Sequence, residues 1–105
     1  MCYGVRVRII ARPALIKFCS RPDCRDAKQP LDTWYHEAKR AKWRSWPDIK
    51  QKYRSASVLK NNRVVFNIGG NKYRLVVAIS YPAQVIYIRF IGTHQEYDRI
   101  NAEEI

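Results

Sequence analysis

The second half of the chain alternates apolar and polar residues in three successive runs, and this pattern constrains the fold more than any other feature. The runs cover residues 62–68, 72–80 and 85–91. Gly69-Gly70-Asn71 separates the first two runs and is typical of hairpin turns that need positive φ. A period of two predicts β-strands, here an antiparallel meander with one apolar face. The residues predicted for that face are Val64, Phe66, Ile68, Tyr73, Leu75, Val77, Ile79, Ile86, Ile88 and Phe90.

The first half of the chain predicts a strand followed by helices. Residues 3–11 alternate, which indicates an N-terminal strand, and Pro13, Pro30 and Pro47 each stand where a helix would begin. In the second helix, four residues share one predicted buried face: Leu31, Trp34, Tyr35 and Ala38. Trp43 and Trp46 could stack on nucleic-acid bases, but packing against the sheet is the favoured interpretation.

These elements predict one α+β domain over residues 1–105. It has an N-terminal strand, helices packed on one face of a mainly antiparallel four-stranded sheet, and a short C-terminal helix. Its size is sufficient for a single modest core.

Charge is distributed very unevenly along the chain. Lys and Arg number 20 against 9 Asp and Glu, a formal net charge of +11. Because four acids follow Thr93, the first 92 residues carry 19 basic and 5 acidic groups, a net of +14. This predicts a polyanionic partner, most commonly nucleic acid. The second sheet face would gather five polar residues with no acid among them: Arg63, Asn67, Lys72, Arg74 and Arg89. A merely solvated face is the alternative.

The stretch after the third run combines a strand end with a capped helix. Gly92 is predicted to end the strand, and Thr93 with Glu96 has the spacing of a capping box. His94 and Tyr97 then share one side of the first turn with Asp98. A histidine, a phenol and a helix start beside cations indicate a phosphate site. The alternative is a C-terminal helix that only docks its apolar side.

Two classes of protein are disfavoured by what the sequence lacks. Cys2, Cys19 and Cys24 are odd in number and far in sequence from His36 and His94, which argues against a zinc site, and no cofactor is predicted. Without a signal peptide or an apolar run near 18 residues, we expect a cytoplasmic protein with no membrane association.

Three segments resemble the HigB toxin family of the RelE-like superfamily of bacterial type II toxin-antitoxin systems. They are Trp-Tyr-His-Glu at 34–37, the hairpin at 63–75 and the Gly-Thr-His-Gln-Glu-Tyr-Asp ending at 92–98. The resemblance extends from about Val7 to Ile100 and implies a compact microbial-ribonuclease-type fold. It also implies cleavage of mRNA, usually on the ribosome, and neutralisation by a HigA antitoxin with a helix-turn-helix domain, which we expect to form a heterotetramer with the toxin.

The resemblance further implies roles for particular residues. Arg74 would contact phosphate, Tyr97 would stack on or activate the substrate, and His94 would act as general acid or base. The chemistry implied is metal-independent attack of the RNA 2′-hydroxyl on the adjacent phosphate. The remaining expected site residues are Arg89 and Lys72 for charge stabilisation, Asn67 and Asn71 for sugar or base, and Arg63 for substrate binding. A non-catalytic basic RNA- or DNA-binding module, or a subunit that acts only through its partner, stays open as an alternative.

Overall fold

The structure, a computed structural model, describes residues 7–105 and contains one five-stranded sheet. The strands are β1 (Arg8–Ile10), β2 (Ser57–Val58), β3 (Arg63–Ile68), β4 (Tyr73–Ser80) and β5 (Val85–Thr93), in the order β1-β5-β4-β3-β2. Among these five strands of the described chain, only β1 and β5 pair in parallel. The α+β fold and the mainly antiparallel sheet are thus confirmed.

The predicted number of four strands is too low by one. The additional strand β2 has two residues, which is too short to show an alternating pattern. Of the predicted N-terminal strand at 3–11, residues 8–10 form β1, and residues 1–6 lie outside the described part of the chain.

Within the described residues, four α-helices and one 3₁₀ helix accompany the sheet. They are α1 (Arg12–Cys19), the 3₁₀ helix (Pro22–Ala27), α2 (Lys28–Ala41), α3 (Trp46–Lys52) and α4 (His94–Tyr97). A proline occupies the first turn of α1 and of α3, as predicted, while α2 begins two residues before Pro30. None of these helices within residues 7–105 is long and apolar enough to cross a membrane.

The helices cover one face of the sheet and form the main core with it. All four predicted positions of α2 are buried there, which confirms that face. Phe66 lies at the centre, with Trp34 edge-on at 5.4 Å and Trp43 stacked at 5.9 Å between ring centroids. Trp46 is instead 53% exposed, so its predicted packing is wrong. Helix α2 ends at Ala41 and Trp46 begins α3, so Trp46 does not belong to the helix that packs on the sheet beside Trp34.

A bulge in β5 changes the face of the sheet on which the residues after Ile88 lie. Val77 pairs with Ile88 but Val76 pairs with Phe90, so Arg89 is the extra residue. Phe90 therefore leaves the helix-covered face, against the prediction, and packs on the other side of the sheet. The strand also continues through Gly92 to Thr93 instead of ending at the glycine.

The face opposite the helices is not open along its whole length. Val65 and Val76 are buried at its centre, beneath Ala102 and residues such as Tyr97 and Ile100. The segment after α4 thus covers the middle of a face that we expected to be polar. Uncovered polar positions remain toward the end where the β3–β4 hairpin turns.

Candidate functional site

One row of residues crosses the sheet next to the β3–β4 turn. Arg74 pairs with Asn67 on one side and with Gly92 on the other. Gly69 and Gly70 in the turn have φ of 62° and 71°, as predicted for this hairpin. Their conformation brings the carbonyl of Asn71 within 2.9 Å of the Arg74 Nη1 atom, which donates to it. The turn therefore holds one side of the half-buried guanidinium.

The predicted capping box lies directly beside this row and is confirmed. The backbone N–H of Thr93 donates to Glu96 Oε1 at 2.9 Å, and the N–H of Glu96 donates to Thr93 Oγ1 at 3.2 Å. Inside this box, the backbone N–H of His94 donates to the carbonyl of Lys72 at 3.0 Å. His94 is thereby tied to the same turn that holds Arg74.

The ring of His94 is half-exposed and has one partner. Its Nδ1 atom lies 3.1 Å from Asp98 Oδ2, one helical turn further along the chain. The other ring nitrogen, Nε2, has no hydrogen bond within residues 7–105. A carboxylate at one nitrogen fixes the orientation of an imidazole, so that the other nitrogen is available to exchange a proton.

An aromatic wall stands on the other side of Arg74. A Cβ atom placed on Gly92 would lie 2.5 Å from Cζ of Phe90, so only glycine leaves space for this ring across the row. Tyr97 is partly buried and, like Phe90, packs against the cluster that contains Val76. The Phe90 ring over Gly92 and the hairpin turn therefore flank the position of Arg74.

The 3₁₀ helix and the residue before it brace this site from two directions. Asp26 accepts hydrogen bonds from Lys72 Nζ at 2.6 Å and from the Tyr73 hydroxyl. Arg21 donates from Nη1 to both carboxylate oxygens of Glu96 at 3.2 Å. One short segment thus holds the hairpin turn and the capping box together.

These contacts change the pKa values of the groups involved. The hydrogen bond from Lys72 is the largest cause that lowers the pKa of Asp26, and the bond to Asp26 raises the pKa of Tyr73. The backbone N–H of Thr93 lowers the pKa of Glu96. The expectation that no acid neutralises the cations is therefore wrong for Lys72, because Asp26 comes from a distant segment.

Two of the expected site residues lie further away. Arg89 occupies the bulge, where its guanidinium lies 5.4 Å from the ring centroid of Tyr87. Arg63 pairs with Ala78, four residues from Asn67 along β3, or about 13 Å. Its Nε and Nη2 atoms donate to the carbonyl of Ile105 at 2.9 and 2.5 Å. The structure thus brings together a subset of the predicted residues: Asn67, Asn71, Lys72, Arg74, His94 and Tyr97.

Comparison with known proteins supplies the family. Residues 27–100 match the family described as HigB_toxin, the RelE-like toxic component of a toxin-antitoxin system. The chain belongs to the HigB toxin family. The matched range contains every predicted site residue, whereas Arg21, α1 and β1 precede it.

Individual HigB relatives match over a shorter stretch. The mRNA interferase toxin HigB of Escherichia coli K12 is 47% identical over 38 residues. The mRNA interferases HigB of Escherichia coli O157:H7 and of Shigella flexneri match to the same extent. In each case the aligned stretch spans 36% of this chain and 36% of the relative.

Metal-ligating residue types are dispersed in this HigB-family chain. Within residues 7–105, no three His, Cys, Asp or Glu side chains form a group that could hold a metal ion. Cys19 and Cys24 are not joined by a disulfide, and Cys2 lies outside the described residues.

Asp26 and Arg21 are the site components that the sequence did not reveal. Both lie in the polar stretch between α1 and α2, which has no periodicity. Their partners are 46 and 75 residues away, so no local spacing signals either pair.

Proposed function

We propose that this HigB-family toxin is an endoribonuclease that cleaves mRNA on the ribosome. The single observation that carries the proposal is the position of Arg74 and His94, which are held on the same hairpin turn, one by a turn carbonyl and one through its backbone N–H. The fixed cation of Arg74, beside a histidine with an available ring nitrogen, is suited to phosphoryl transfer in RNA. The mRNA interferase names of the HigB relatives support the same chemistry.

In the proposed reaction, the 2′-hydroxyl oxygen forms a bond to the adjacent phosphorus and the bond from phosphorus to the 5′-oxygen breaks. The products are a 2′,3′-cyclic phosphate and a 5′-hydroxyl. The 2′-hydroxyl loses a proton and the leaving oxygen gains one. Nε2 of His94 would carry out one of these transfers, with Asp98 holding the ring at Nδ1.

Cationic side chains would stabilise the charge on the pentacovalent phosphate, so the proposed reaction would not require a metal ion. Arg74 is placed for this role, and Lys72 would share its charge between the substrate and Asp26. Arg89 at the bulge would approach from the side. Preorganised donors of this kind contribute about 10²–10³ in rate each.

Other residues would position the RNA. Tyr97 would stack on or orient a nucleotide, and Asn67 and Asn71 would contact sugar or base. Arg63 would reach RNA only beyond the reacting phosphate, because it lies at the far end of β3. In the cell we propose a cytoplasmic protein, neutralised by a HigA-type helix-turn-helix antitoxin in a heterotetramer.

The proposal is tested by incubating the toxin with ribosomes translating a reporter mRNA and mapping the new 5′ ends. We expect cleavage within the reading frame that leaves 5′-hydroxyl ends. Cleavage should stop when the attacking nucleotide is 2′-deoxy. His94→Gln should lower the rate by about 10²–10⁴.

The matched control is His36→Gln, which changes an exposed histidine on α2. It should cleave at the rate of the unmodified toxin. RNA binding without any new 5′ ends would instead support the non-catalytic basic module, which the net charge of +11 also favours. Equal rates for His94→Gln and His36→Gln would exclude the proton-transfer role of His94.

A further inference from the structure

We propose that the groove between α1 and α2 is the docking site for the antitoxin, which would insert an apolar side chain flanked by carboxylates. The inference rests on membership of a toxin-antitoxin family and on the groove itself. It does not depend on the proposed RNA chemistry.

The groove is a built cavity with an apolar floor. It has a volume of about 390 Å³, and Leu15, Leu31, Tyr35 and Cys19 line it. Burial raises the pKa of the Cys19 thiol, in keeping with an apolar surrounding. Ile16 stands at its edge with 58% of its surface exposed, the highest value among the exposed large apolar residues of the described chain. A single exposed isoleucine is common on protein surfaces, but Ile16 extends the apolar lining of the cavity and so enlarges the apolar area that a partner can bury.

Cations surround this apolar floor. Arg12, Arg25 and Lys28 line the groove, and Asp32 is the single acid among the residues lining it. The Arg12 guanidinium lies 4.3 Å from the ring centroid of Tyr35, so it is fixed at the rim by a cation–π contact. An occupant that complements this surface carries an apolar anchor between acidic residues.

Two other occupants fit less well. RNA would satisfy the cations but has no aliphatic group to bury against Ile16 and Leu15. A second copy of the chain would bring the same cations together, and each copy has a net charge of +11. The partner that the family requires is an antitoxin, and a protein partner can supply both an apolar side chain for the cavity and carboxylates for the cations.

The position of the groove has a consequence for inhibition. Both α1 and α2 pack on the sheet face that contains Phe66, whereas Arg74 lies on the opposite face. An antitoxin docked in the groove therefore leaves the Arg74 row uncovered by this contact. Changes at the two locations should affect antitoxin binding and RNA cleavage separately.

The test measures the affinity of purified antitoxin from the same toxin-antitoxin locus by isothermal titration calorimetry. Ile16→Glu should weaken binding by about a hundredfold, because Ile16 would be buried in the complex. Lys28→Glu should weaken it by about tenfold, because Lys28 would contribute only a charge at the rim. Trp46→Glu is the matched control, since Trp46 is 53% exposed on α3 and does not line the groove. It should bind within twofold of the unmodified toxin.

Arg74→Ala completes the experiment and should also bind the antitoxin within twofold. Melting temperatures of all variants identify any that fail to fold. If Ile16→Glu fails to fold, Lys28→Glu still tests the groove, because Lys28 is exposed and its substitution should not disturb the fold. Unchanged affinity for the groove variants, or lost affinity for Arg74→Ala, would overturn the inference. Absence of RNA cleavage by the unmodified toxin would refute the proposed function and leave these affinities fully interpretable.

Discussion

The two ends of β3 carry an arginine and an asparagine on the same face of the sheet, but the protein uses these ends differently. At one end, Arg63 donates three hydrogen bonds to the carbonyls of Ile105 and Asn61. At the other end, Asn67 pairs with Arg74. Of the Arg74 guanidinium, only Nη1 donates hydrogen bonds within the described residues, to the carbonyls of Asn71 and Tyr73. The two arginines on this face, Arg63 and Arg74, therefore do not have the same role. The Arg63 end, whose guanidinium is bound by carbonyls of the chain itself, is structural. The Arg74 end, which the segment after α4 does not cover, can receive a substrate.

The largest expected effect is at the open end. Arg74→Ala should reduce cleavage of reporter mRNA by about 10²–10³, because the fixed cation at the reacting phosphate is lost. Its melting temperature should stay close to that of the unmodified toxin, since Arg74 donates only to carbonyls of the exposed turn and its own strand. Arg40→Ala, on the exposed surface of α2, is the control for loss of one charge. A matching decrease for both variants would mean that net charge, and not position, matters.

An intermediate effect is expected at the brace. Arg21→Ala removes the guanidinium that holds both oxygens of Glu96, and a less constrained capping box should lower kcat by about tenfold with little change in KM. Arg21→Lys should recover part of the rate. Arg25→Ala in the same segment serves as the control. Should kcat stay unchanged while stability falls, the contact would be structural only.

The smallest effect on activity is expected at the closed end. Arg63→Ala should lower the free energy of unfolding by about 1–2 kcal/mol, because the Ile105 carbonyl loses its charged donors. The rate of cleavage should change less than twofold. Urea denaturation with a parallel cleavage assay measures both. A large loss of activity at full stability would place Arg63 in the substrate path and remove the contrast between the two ends.

The local features of this protein were predictable from its sequence. The glycine turn at 69–70, the capping box at Thr93 and the buried face of α2 each depend on residues within one turn or one helix. Short spacings carry such features because the interacting groups are neighbours along the chain.

Features that depend on distant residues were not predictable. The Asp26–Lys72 and Arg21–Glu96 pairs join segments that only the tertiary fold brings together. Trp46 was misplaced because Pro47 marks where α3 begins but does not indicate whether the first residue of that helix faces the sheet or the solvent. Burial of Val65 and Val76 requires the segment after α4 to return across the sheet, and no local pattern indicates that path.

The bulge at Arg89 decides on which side of the sheet the chain emerges after β5. A strand shifted by one residue presents every later side chain to the opposite surface. Without the bulge, Arg89 would pair with Val76 and Phe90 would pair with Leu75 on the helix-covered face, and Ile91 would replace Gly92 opposite Arg74. The single extra residue therefore keeps Phe90 on the Arg74 face and places a residue without a side chain opposite Arg74.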